Sequence, residues 1–118
     1  MLFDADDEFQ FITDVKNEID GLFSEMNVTT VFFAKKTLRK VLREIVKYGR
    51  FSGSKRVEVE LLLHFCKKMK STKLPIRSSA VLLNMYLRQL EKCRKLIPLL
   101  HEDLQYDLSM ELDQLLIR

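Results

Sequence analysis

His64, His101, Cys66 and Cys93 are the side chains best suited to proton transfer, nucleophilic attack or metal binding, together with carboxylates crowded near the start. Acid–base work requires two such groups facing one another, at least one with a displaced pKa. His64 sits in LLLHFC, the most apolar stretch of the chain, where an imidazole ordinarily bonds a backbone carbonyl or a nearby acid at the edge of a core. Cys66 is two residues on and falls on another side of a helix, so the two cannot form a local thiolate–imidazolium unit. His101 stands beside Glu102 and Asp103, but no second histidine or carboxylate at i+3 or i+4 completes a metal site. Arg56 and His64, a pair of interest for ribonuclease-type chemistry, are too far apart to share one helical turn. A chain with only three Gly has no phosphate-cradling loop of the GxGxxG or GxxxxGK[ST] kind. The expectation is a non-enzymatic protein with no metal, no cofactor and no small-molecule substrate.

Charge is the more informative chemistry. The net value of +3 conceals a segregation. Residues 1–30 hold eight acids and one base, residues 31–75 hold thirteen bases and three acids, and the remainder is balanced at six of each. Within residues 34–50, AKKTLRKVLREIVKYGR, seven residues are basic and only Glu44 is acidic. At roughly 100° per residue from Leu38, the cations Lys36, Arg39, Lys40, Arg43, Lys47 and Arg50 fall between about 100° and 200°, opposite the apolar side. Lys36/Lys40, Arg39/Arg43 and Arg43/Lys47 are like-charged i,i+4 pairs and Glu44 sits only at the edge of the stripe, so helical salt bridges do not explain it. A helix C-terminus favours cations but accounts only for Lys47 and Arg43. Lys55 and Arg56 follow in the next turn. Lys67, Lys68 and Lys70, with Lys73 beyond, would extend the same basic surface if the next helix turns its cations the same way.

The elements that must carry these groups are helices. With few Gly and Pro, 47% hydrophobic and 31% charged residues, the chain suits one globular domain over residues 1–118, built as a compact antiparallel bundle of four to five helices with short loops. Ile12, Val15, Ile19, Leu22 and Met26 mark a first helix beginning at Asp4. A second is expected from about Val31 to Tyr48, with Val31, Ala34, Leu38, Val41, Leu42 and Ile45 on its core side, capped by Asn27 or Thr29 and stopped by Gly49. A third follows Ser54 and reaches about Lys70. Its VEVE start alternates like a strand, but no other strand exists to pair with it. Leu74-Pro75 breaks the chain, and Ser78 or Ser79 caps a fourth helix with Leu82, Leu83, Tyr86, Leu87, Leu90, Cys93 and Ile97 inward. Pro98 kinks or ends it. The last helix, from about Leu100 to Leu116, buries Leu104, Leu108, Leu112 and Leu115.

Three partners fit these features. An acidic protein docking on the basic face, as in a regulatory or scaffold module, is placed first, and nucleic acid held through its phosphates second. The third is a second copy of the chain: Tyr106, Met110 and Ile117 lie at roughly 200–240° from Leu104, so the last helix is apolar on two sides and suits self-association. The opening MLFDADDEFQ has neither the basic nor the apolar region of a signal peptide, and apolar runs such as Leu61–Leu63 are far short of a membrane span. An intracellular protein, cytoplasmic or nuclear, with no membrane partner is the corresponding expectation. Whether the eight early acids cover the basic stripe is the question left to tertiary structure.

Overall fold

In the computed structural model, residues 5–25, 31–72 and 79–117 are described. They form five α-helices and no strand: α1 (Ala5–Glu25), α2 (Val31–Ser52), α3 (Lys55–Ser71), α4 (Ala80–Leu96) and α5 (Glu102–Leu116), with a 3₁₀ turn at Ile97–Leu99. The all-α bundle expected from the periodicity is what forms. Asp4, Met26, Asn27, Thr29, Lys73, Leu74, Pro75 and Ser78, named above as caps, seam, cation or break, lie outside the described residues.

α3 is the axis and packs against each of the other four helices. Surrounded in this way, it buries apolar residues on several sides, including Val57, Val59, Leu62, Phe65 and Met69. The strand-like VEVE alternation is thereby accounted for. Val57 and Val59 both enter the core, while Glu58 reaches Lys92 at 2.7 Å and Glu60 reaches Arg56 at 3.0 Å. α1 runs alongside α3 in the same direction, joined by Glu8–Arg56 near its start and Asp20–His64 near its end. α2 runs against α1: Phe11 meets Tyr48 and Phe51 with ring centroids 5.6 and 5.9 Å apart. α5 runs along α3, tied by Lys67–Glu111 at 2.9 Å. Against α4 it runs in the opposite sense, with Tyr86 Oη donating to the Leu115 carbonyl at 3.1 Å.

Two helix ends form as the capping residues predict. Ser54 and Ser79 take extended backbone angles, and their hydroxyls accept from the amides of Val57 and Leu82. Two other boundaries differ from expectation. α2 continues through Gly49 to Ser52, and Gly53 provides the left-handed terminus with φ 66°. Its amide donates to the Gly49 carbonyl at 3.1 Å, the bond that closes such an end. Gly49 instead lets α3 come close, since a Cβ there would lie 3.2 Å from Glu58 Cβ. Pro98 ends α4, and Leu100 turns extended before α5 starts at Glu102, two residues later than the spacing suggests. Leu100 is nonetheless buried in this link, and Gln105 Nε2 donates to its carbonyl at 2.7 Å. Val31 and Leu87, assigned to the core by periodicity, are 42% and 48% exposed. No described helix is long and apolar enough to cross a membrane.

Candidate functional site

α2 presents its cations because its own geometry separates them from the core. Ala34, Leu38, Val41 and Ile45 are buried against the bundle, and the six stripe residues on the far side are all exposed. Lys36, Arg39, Lys40, Arg43, Lys47 and Arg50 enter none of the ion pairs of the described residues. Within the stripe, Arg43 Nε donates to the Arg39 carbonyl at 3.4 Å. The face thus retains positive charge over about 21 Å from Lys36 to Arg50, at the 1.5 Å rise of a helix.

The acids of α1 are engaged elsewhere. Glu8 binds Arg56 at 3.1 Å, and Asp20 binds His64 at 2.6 Å and Lys68 at 3.3 Å. Glu18 accepts a hydrogen bond from the Tyr48 hydroxyl at 2.8 Å. That bond pushes the Tyr48 pKa up to about 12, with burial adding to it. Tyr48 lies on the flank of α2 that meets α1, so even this acid is held at the side of the stripe. Glu8, Glu18 and Asp20 are therefore held away from the basic face.

Four of the cations of α3 do not join it. Arg56 is shared between Glu8 and Glu60, Lys68 belongs to Asp20, and Lys67 to Glu111. Lys70 Nζ donates to the carbonyls of Gln114, Leu115 and Ile117, neutralising the negative end of α5. Lys55 stays exposed at the start of α3. The continuous surface spanning α2 and the end of α3 is thus reduced to α2, because α3 points its charges at α1, α4 and α5.

Beside the stripe runs an open groove of about 460 Å³, lined by Leu42, Arg43, Val46, Lys47 and Arg50. Leu42 and Val46 are only half-buried and sit one turn apart between the core and the cations. Sequence periodicity placed Leu42 in the core and gave Val46 no role. Their positions at roughly 40° and 80° from Leu38, between the two faces, are the signal that marks a shoulder. At the start of α2, Phe32 is 71% exposed and Phe33 55%, with their rings in edge contact at 5.8 Å. Neither stood out in the sequence, where hydrophobicity alone suggests burial.

The residues suited to catalysis are placed differently. Burial, with the nearby charges of Lys16 and Lys68, lowers the His64 pKa below its ordinary 6.5 despite the Asp20 carboxylate hydrogen-bonded to its Nε2 at 2.6 Å. Cys66 and Cys93 are free and buried. A shared hydrogen bond and burial push the Cys66 thiol well up, away from the thiolate. His101 is on the surface, its Nδ1 3.4 Å from Asp103. Among the described residues no group of three or more His, Cys, Asp or Glu is arranged to hold a metal ion.

Compared with protein-family models, curated proteins and solved structures, the chain shows no match to any of them. Its class is defined by fold and surface: a five-helix all-α bundle whose second helix carries an exposed cationic face beside an aliphatic shoulder.

Proposed function

We propose that this protein is a non-enzymatic interaction module of regulatory or scaffold type, which holds an acidic amphipathic segment of a partner protein along α2. The supporting observation is the composition of the groove: Leu42 and Val46 form an apolar wall, and Arg43, Lys47 and Arg50 supply exposed positive charge. A helix with aliphatic anchors one turn apart and flanking carboxylates satisfies both parts at once. A phosphate backbone uses only the charges and leaves the aliphatic wall unoccupied. Guanidinium groups at Arg43 and Arg50 can each grip a carboxylate with two hydrogen bonds, and Lys47 acts as a point charge.

The test is a titration of the full chain with a labelled helical Leu/Glu peptide, set beside single- and double-stranded DNA and RNA of equal charge, over rising salt. Peptide binding should survive physiological salt and fall about tenfold with Val46→Asp, the loss of an apolar anchor contact and its replacement by a like charge. Arg43→Glu/Lys47→Glu/Arg50→Glu should abolish it with the helical circular dichroism unchanged. Nucleic-acid binding that persists at physiological salt and ignores Val46→Asp would establish the phosphate-binding alternative instead.

A further inference from the structure

The chain carries on α5 a segment of the kind that α2 is built to hold. Its fifteen residues, EDLQYDLSMELDQLL, include five acids and no base. Leu108, Leu112 and Leu115 are buried, while Tyr106, Met110 and, just past the helix end, Ile117 are 70%, 46% and 67% exposed. At roughly 100° per residue from Leu104, these three form a ridge at about 200–240°, with Glu102 and Asp113 on one flank at about 160–180° and Asp103 and Asp107 on the other at about 260–300°. All four flanking acids are exposed. Glu102, Asp107 and Asp113 enter no ion pair among the described residues, and Asp103 has only its neighbour His101.

The two surfaces correspond in sign, in spacing and in length. Tyr106 and Met110 are separated by four residues, as are Leu42 and Val46, so a pair of anchors on one helix meets a pair of aliphatic positions on the other. The acidic face from Glu102 to Asp113 extends about 16 Å, within the about 21 Å of the basic stripe. One molecule cannot join them: α2 packs on α1, α3 and α4, α5 packs on α3 and α4, and both outer faces turn to solvent. We infer that the outer face of α5 in one copy docks along α2 of another, Tyr106 and Met110 on the Leu42–Val46 wall and its acids against Arg43, Lys47 and Arg50. This rests on the groove reading above, with the occupant identified as a second copy. Lower salt strengthens such pairing because both sets of charges are exposed to screening.

Sedimentation equilibrium and complementary charge reversal test it. At about 50 mM salt, where screening is weak, the weight-average mass should rise above that of the monomer through the micromolar range, and return toward it as salt is added. Lys47→Glu/Arg50→Glu and Asp107→Lys/Asp113→Lys should each weaken association by about tenfold or more, while an equimolar mixture of the two variants regains it, since each reversed face then meets its opposite. Circular dichroism and melting of each variant confirm that the fold is kept. A strict monomer at high micromolar concentration overturns the inference, as does association untouched by either reversal or a mixture that fails to recover. Titrating the Leu/Glu peptide into the same samples separates the two ideas: a monomer that binds the peptide in α2 loses only the self-pairing, and a chain that binds neither loses both.

Discussion

α2 and α3 are adjacent, both rich in Lys and Arg, and both amphipathic, yet their charges serve opposite ends. On α3, Arg56, Lys67, Lys68 and Lys70 each find a carboxylate or a helix-end carbonyl on their own helix or a neighbour, and Glu58 and Glu60 are paired as well. On α2, none of the six stripe cations has such a partner among the described residues. α3 is enclosed, so its polar residues lie where neighbouring helices can reach them. α2 is peripheral, and its charged side faces water. The same residue types therefore position helices in one element and leave an attractive field in the other.

If α3 is the structural axis, its damage should cost most. Phe65→Ala removes a fully buried ring that packs edge-on against Phe23, and chemical denaturation should show a loss of about 3–5 kcal/mol. Asp20→Ala takes away the partner of both His64 and Lys68; these groups are partly exposed, so about 1 kcal/mol is the expected cost by the same measurement. His64 adds a pH dependence. Its folded pKa lies below the ordinary value of 6.5, so the unfolded chain takes up more protons as pH falls through that value. The melting temperature should drop between pH 7.5 and 5.5, and His64→Gln should flatten this part of the profile. Lys70→Ala leaves the α5 terminus without its cation and should cost about 0.5–1 kcal/mol. Smallest of all per residue, reversing Arg43, Lys47 and Arg50 together should alter stability by no more than about 0.5 kcal/mol for each exposed position. A large destabilisation by that triple reversal, in the absence of any ligand, would erase the contrast between the two helices.

Much of the bundle was legible because it depends on neighbours in the chain. Ser54 and Ser79 cap the helices that follow them, and the 3.6-residue period identified Leu38, Val41, Ile45, Leu108, Leu112 and Leu115 as buried. Gly49 misled because glycine ends helices and also permits close packing; only the approach of Glu58 distinguishes the two. Leu87 falls on the inward arc of α4 but is almost half exposed, since an arc is buried only where another helix lies across it. The shoulder of Leu42 and Val46 was missed for the same reason: intermediate angles on a helical wheel become core or groove according to what stands beside them.

The basic stripe existed as soon as α2 was a helix, because local periodicity alone brings Lys36 through Arg50 to one side. No local rule said where the acids of α1 would lie. That depended on α1 settling alongside α3, which directed Glu8 to Arg56 and Asp20 to His64 and Lys68, 44 to 48 residues away in the chain. Long-range pairing of this kind is set by how helices pack as bodies, and it is what directed these acids to α3 and away from the cations of α2.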